Sequence, residues 1–464
     1  MILSKSLIEK TLNAALSTGA DFAEIFAEES YSSRLSVVDS TPKEALVGRQ
    51  YGAGIRVHFG HEEIYITTND LSERGLLKAA QKAALAKVGQ ARIQTSASVS
   101  DPVTTFDQIT ANMKMPWDFA RDRKFQFLKN LDRSARAHSS LVTQTMPLLM
   151  EKVQKVQIAN SHGLNIDDVR THYRTFLEVH VEEHGKTESF SKNDFSVTDS
   201  LFYESLPVDS WAQATVDTAL KVLKADFAPA GEMPVIIDSG FGGVIFHEAC
   251  GHGLETTAVS KDSSVFCGKL GEKIAQDCVT AIDDGTVEGA WGSLKYDDEG
   301  NLARKTTLIE KGVLKSYMVD QLGAKKTGFD TTGSGRRQNY KFAPTSRMRN
   351  TFLAPGKDRL EDMIRDVDYG IYAKDMGGGS VNTSTGDYNF AIREAYIIRN
   401  GRLEEPVKGA SLIGKGIDTI SRITKVGDEL KLAAGMCGSV SGSIPAAVGQ
   451  PAVLVSKILV GGRA

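Results

Sequence analysis

The sequence predicts an α+β protein: an N-terminal α/β region of helices on antiparallel sheet, followed by a Gly-rich, mostly β C-terminal domain that carries one metal-binding helix. Three observations point that way. The order helix, strands, helix occurs twice before residue 225, as apolar spacing switches between the helical period and period two. From Gly231 onward glycine is frequent, strands are short and helical patterns are few. One His-Glu pair with a second His close behind it follows an apolar strand and a Gly-rich turn.

At 464 residues the chain exceeds what one ordinary core organises. Composition divides it into an N-terminal α+β domain over 1–95, a middle α+β region over 96–225 and a C-terminal β-rich domain over 226–464. Leu7, Ile8, Leu12, Ala15 and Leu16 lie on one helical face that ends at Gly19. Residues 21–68 alternate with period two and read as four short strands, with His58 on a strand surface. Helical spacing returns over 70–88, capped by Asp70 or Ser72. The Ser/Thr/Asp/Ala-rich stretch 91–114 reads as a linker or exposed loop, and 117–138 as a charged amphipathic helix. Strands fill 142–198, with turns at His162-Gly163 and His184-Gly185, and a helix covers 210–223. His180 and His184 are four apart, but on a strand that spacing spans about 13 Å, too far for one metal. In the C-terminal part, Glu310-Lys-Gly312 and Asn400-Gly401 mark hairpin turns.

Net charge is −3 with interleaved signs, so there is no basic footprint for nucleic acid. No apolar run approaches the roughly 20 residues of a membrane span. The first residues, amphipathic and carrying Glu9, lack the apolar core of a signal peptide. Cys250, Cys267, Cys278 and Cys437 have no CxxC spacing; free thiols in a cytoplasmic protein are expected.

Chemistry concentrates in the segment 240–255. His247, Glu248 and His252 are the parts of a zinc hydrolase site: two imidazole ligands and a carboxylate base. The histidines are five apart, which at about 100° per residue sets them roughly 140° apart around a regular helix. They reach one metal only across a wide turn or a break, and Gly251 makes such a distortion inexpensive. The dipeptide alone says little, since His61-Glu62 repeats it. No histidine follows His252, so a further ligand must be Cys, Asp or Glu. Cys437 lies in 434–445, a loop by composition, and is the leading candidate; Glu255, Cys267 and Cys278 are alternatives, and Cys250 packs in the core. The segment 375–387 lacks the ending of a phosphate-binding loop. Gly377, Gly378 and Gly379 suit an edge on which an extended peptide adds as a strand. Arg336 and Arg337 are candidates for binding a carboxylate of that peptide, with surface charge as the alternative.

These segments also carry a resemblance. His247-Glu248-Ala-Cys-Gly-His252-Gly-Leu-Glu255, Gly335-Arg-Arg-Gln-Asn-Tyr340 leading to Arg347-Met-Arg-Asn-Thr351, Gly377 to Asp387, and Met436-Cys437-Gly to Val448-Gly-Gln-Pro451 together resemble the TldD/PmbA family of metallopeptidases, in its metal-bearing TldD-like branch. The resemblance implies one Zn2+ per chain held by His247, His252 and Cys437, with Glu248 as catalytic base. It also implies a cytoplasmic peptidase of short or unfolded peptides that forms a homodimer, or a heterodimer with a PmbA-like paralogue, around a narrow cavity. The competing expectations are a catalytically silent pairing subunit and a metal-dependent amidohydrolase of a non-peptide substrate.

Overall fold

The computed structural model describes residues 2–87, 96–382 and 385–462. The N-terminal half is one antiparallel sheet of six strands: β1 (Phe22–Val38), β2 (Thr41–Phe59), β3 (Glu62–Thr68), β4 (Val142–Asn160), β5 (Asn165–Glu183) and β6 (Lys186–Ser196), in the spatial order β3-β2-β1-β4-β5-β6. The pairing of β1 with β4 joins strands from both sides of residue 95. Helices α1 (Lys5–Leu16), α2 (Glu73–Leu85), α4 (Arg121–His138) and α5 (Val208–Lys224) pack on this sheet; the short α3 (Phe106–Thr110) stands between α2 and α4. Ser4 caps α1 and Ser72 caps α2, each hydroxyl accepting from a backbone N–H of the first turn.

Three expectations change here. The four short strands over 21–68 are three, two of them 17 and 19 residues long. β1 runs unbroken through its polar stretch because each residue there has a ladder neighbour on both sides. His58 is not a surface residue but fully buried, its Nε2 3.3 Å from Glu63 Oε2. The stretch 91–114 is not all loop: α3 begins inside it with a reciprocal Thr105–Gln108 cap, while 91–95 lies outside the described residues.

Both long-strand surprises have one cause. Ala23, Ile25 and Ala27 of β1 face the helices, whereas Glu24, Phe26 and Glu28 face the C-terminal half and are buried against it. Arg56 on β2 binds Glu299 at 2.7 Å, and Arg337 reaches back to Glu24 at 2.6 Å. The polar face of the sheet is thus an internal interface made of paired charges.

The C-terminal half is β-rich. β7 (Asp226–Phe227) is an edge; β8 (Gly231–Ile237) pairs with Tyr369–Val381 and Val453–Gly461, and pairing continues through Ser411–Lys415 and Asp387–Arg399 back to Tyr369–Val381, closing a five-stranded barrel. A separate six-stranded sheet ends with Gly442–Gln450 and, at its edge, Lys431–Ser439. Residues 434–445 are therefore a hairpin rather than a loop. The expected single helix is joined by other short ones, including Gln321–Thr327, Leu360–Arg365 and Gly416–Ser421. No helix among the described residues is long and apolar enough to cross a membrane.

Candidate metal centre

β8 delivers the chain from the middle of the barrel wall to Asp238, and Gly240 turns it with φ 83°, which an L side chain rarely adopts. A short 3-10 turn, Phe241–Gly243, then leads into α6 (Val244–Ala249), which carries His247 and Glu248. α6 stops after six residues. Cys250 leaves helical geometry at φ −125°, ψ −47°, and Gly251–Leu254 continues as a 3-10 turn that carries His252. The break demanded by the five-residue spacing is present, but Gly251 serves it differently than expected. A Cβ there would lie 2.2 Å from Met348 Sδ, so the glycine permits close packing, while the distorted residue is Cys250.

Across this break the rings of His247 and His252 stand 5.3 Å apart at 86°. Cys437, on the edge strand Lys431–Ser439, completes the group: its Sγ lies 3.2 Å from His247 Nε2 and 3.4 Å from His252 Nε2. The three donor atoms fall within 4.8 Å of one another, and all three residues are buried. Among the described residues this is the one such cluster of three or more His, Cys, Asp or Glu. Cys250 is in the core; Cys267 and Cys278 contact the carbonyls of Val259 and Ile423 instead.

Glu255, an alternative ligand in the sequence, does other work. Its Oε2 accepts from His252 Nδ1 at 3.2 Å, which leaves Nε2 aimed at Cys437. Arg347, fully buried, was not a sequence candidate, although it lies in one of the motif segments. It donates to the Cys437 carbonyl at 2.6 Å, to Ser441 Oγ and the Gly442 carbonyl in the hairpin turn, and stands 4.0 Å from Glu255. One guanidinium therefore ties the hairpin bearing Cys437 to the carboxylate that orients His252.

The residues present fit a metal ion. Burial alone pushes the Cys437 thiol up, but the charge on His247 and hydrogen bonds from His247 and His252 outweigh it and bring the thiol down to about 3. Burial lowers His252, yet Glu255 and Cys437 raise it well above the usual imidazole range. A thiolate and two imidazoles converging on one point offer a divalent cation one sulfur and two nitrogen donors. Two histidines and one cysteine form a donor set suited to zinc.

Glu248 lies beside this cluster, Oε2 3.6 Å from His252 Nε2, and is partly exposed to a cavity of about 190 Å³. Gly378, Gly379, Gly435, Met436 and Phe241 share its lining. Gly377 is on the same bulged strand but does not border the cavity; a Cβ there would face Arg393 and Ala391. Arg336 and Arg337 are elsewhere and are not surface charges. Arg336 donates to the carbonyls of Met348 and Pro445, and Arg337 to Glu24 and the Asp298 carbonyl, both buried. Guanidinium groups bonded inside the fold in this way do not support a role in peptide binding.

Comparison with known proteins agrees with this geometry. Residues 23–86, 114–223 and 230–462 match domain 1, the central domain and the C-terminal domain of the PmbA/TldA metallopeptidases. The chain is 36% identical to the metalloprotease TldD homolog of Haemophilus influenzae and 33% identical to that of Buchnera aphidicola, in each case over 95% of this chain and 93% of the relative. It is 32% identical to the zinc metalloprotease TldD homolog of Saccharolobus solfataricus over 52% of this chain and 54% of the relative. The crystal structure of TldE from Thermococcus kodakarensis superposes with a TM-score of 0.76 over 98% of this chain and all (100%) of that one; at 19% identity the likeness shows the fold alone. With its motifs, its paired histidines and cysteine, and near full-length relatives in agreement, the chain belongs to the TldD/PmbA family of metallopeptidases.

Proposed function

We propose that the chain is a zinc-dependent peptidase that hydrolyses short or unfolded peptides. The observation that carries this reading is the convergence of His247, His252 and Cys437 beside the carboxylate of Glu248, at a cavity bordered by a glycine strand. Bound to those three donors, zinc supplies Lewis-acid chemistry, polarising a carbonyl and acidifying water. Glu248 takes the proton from the water that attacks the peptide carbonyl and returns it to the leaving amine. Glu255 holds His252 in register, and Arg347 does the same for the Cys437 backbone. Gly378, where a Cβ would meet nothing within 4 Å, lets a peptide backbone lie against the strand Tyr369–Val381, where main-chain hydrogen bonds bind it with little regard for side chains.

The chain acts in this reading in the cytoplasm, where its four free cysteines stay reduced, and pairs with a second copy or a PmbA-like paralogue. Pairing of that kind would narrow access to the site. One sequence is therefore cleaved as a free peptide and left intact within a stable folded domain, with Glu248→Gln as the blank. Equal cleavage of both forms would reject the reading as one of restricted access; cleavage only of non-peptide amides would reject it as a peptidase.

A further inference from the structure

A second cavity, of about 540 Å³, lies between the N-terminal sheet and the hairpin that carries Cys437. Its floor is the sheet. Ser32, Lys152 and His172 form one cross-strand row, and Arg34, Met150 and Arg174 form the next. Met436, Ser443 and Pro445 line it from the hairpin, together with Trp291. Met436 also lines the cavity at Glu248, so the residue preceding the metal ligand borders both spaces. Met436 belongs to the edge strand Lys431–Ser439, which among the described residues carries no further strand on its outer side.

The lining is mostly apolar, with three serines, His172, the carboxylate Glu151 and a set of cations. Arg34 is neutralised by Glu44 at 2.8 Å, and the lining carboxylate Glu151 is held by Lys124 at 2.7 Å. Lys152 and Arg174 differ. Among the described residues neither side chain has a carboxylate within 4 Å and the Lys152 amine has no hydrogen bond; the buried Glu28 acts on Lys152 only from beyond ion-pair distance. Arg174 donates through Nε and Nη2 to Asn193 and through Nη2 to the Ala434 carbonyl, leaving Nη1 for a ligand, and its guanidinium lies over Phe176 at 4.3 Å. Two half-buried cations beside Trp291, Phe176 and Met150 suit an anion that brings apolar surface with it.

Resting on the peptidase reading above, we propose that this cavity receives the C-terminal residue of a short peptide whose scissile bond lies at the metal centre, its free α-carboxylate bound by Lys152 and Arg174 and its side chain packed on Trp291, Phe176 and Met150. A terminal residue offers a carboxylate and an apolar side chain on one carbon. An acidic side chain offers only the charge and would leave the aromatic wall unfilled. The subsite would favour peptides over internal segments of a longer chain.

The test uses the full metal-loaded chain. Two peptides that end in the same apolar residue, one as the free acid and one as the carboxamide, are titrated against Glu248→Gln, and their kcat/KM values are compared on the wild type. The free acid should bind about tenfold more tightly or better, and kcat/KM should show the same ratio through KM. Lys152→Met with Arg174→Met should bind both peptides at the level of the carboxamide. Equal binding of acid and carboxamide by a chain with native residues at 152 and 174 overturns the proposal, and needs no cavity variant; so does an unchanged preference in a folded double variant. A carboxamide peptide ending in Glu that binds as well as the free acid reassigns the cavity to acidic side chains and overturns the C-terminal assignment. Binding is read on a chain that does not cleave. A wild type that cleaves neither peptide therefore counts against the peptidase reading, while the binding ratio still decides this one.

Discussion

The imidazole of His252 meets a carboxylate at each nitrogen, Glu255 at Nδ1 and Glu248 at Nε2, and these two acids have different work. Glu255 is buried and bonded, so it orients; Glu248 opens on the cavity, so it can exchange a proton with water. Removing an orienting partner of a metal-binding histidine costs affinity rather than the site itself. Glu255→Gln should therefore weaken zinc binding by about 10- to 100-fold, measured by competition with a chromogenic chelator, while a loaded variant still cleaves. Unchanged affinity would show that Arg347 and the packing around Gly251 suffice to aim the ring.

Elements bring these residues together by ending where they do. α6 stops at Ala249, and the change to a 3-10 turn swings His252 back toward His247. That break is legible in the sequence, because five residues of regular helix would point the rings apart. The strand Lys431–Ser439 is not. Its residues are mostly small, with Gly, Ala and Ser at most positions, and they take strand geometry from pairing with Gly442–Gln450 rather than from their own preference. The placement of Arg347 is likewise invisible to spacing, since its contacts with Glu255 and the Cys437 carbonyl cross about 90 residues of chain. On the opposite wall, the glycines of Tyr369–Val381 separate by what surrounds them. A Cβ at Gly379 would sit 2.2 Å from the Asn389 carbonyl, whereas one at Gly378 would meet nothing within 4 Å. Gly379→Leu should destabilise the fold by about 1–3 kcal/mol through overpacking. Gly378→Leu should leave thermal stability near that of the wild type yet lower kcat/KM on the order of 100-fold, by holding the peptide backbone away from Glu248. Full activity in Gly378→Leu would remove this strand from the substrate path.

The whole molecule joins its halves through a face that reads as polar in sequence. Arg56 with Glu24 and Glu299, and Arg337 with Glu24, are sealed between the N-terminal sheet and the C-terminal half. Alternating charge on a strand looks like a solvated surface until a second layer covers it, which is why His58 and both arginines 336 and 337 read as exposed. Removing one member of such a set leaves an uncompensated charge and is expected to be strongly destabilising. His172 gives this interface a pH dependence. Burial, with the nearby cations Lys152, Arg336 and Arg170, pushes its pKa down from 6.5 to about 3 despite a hydrogen bond to the Trp291 carbonyl. Folded His172 therefore stays neutral where the unfolded chain takes up a proton. The unfolded state binds more protons between those two values, so stability is full above about pH 6.5 and falls as pH drops toward 3. Equilibrium denaturation at pH 7 and pH 5 should show His172→Gln losing less stability than the wild type, by up to about 2 kcal/mol. Identical losses would mean that His172 is solvated in the folded state.

The central claim is that His247, His252 and Cys437 hold zinc for a reaction in which Glu248 moves the proton. The direct measurement is zinc content by mass spectrometry alongside cleavage of one unstructured peptide, on purified wild type, Glu248→Gln and Cys437→Ala. One zinc per chain is predicted in the wild type and in Glu248→Gln, with cleavage reduced by about 100- to 10,000-fold in the latter, and both zinc and cleavage lost from a folded Cys437→Ala. Wild-type cleavage by Glu248→Gln, or full zinc occupancy in Cys437→Ala, would contradict it.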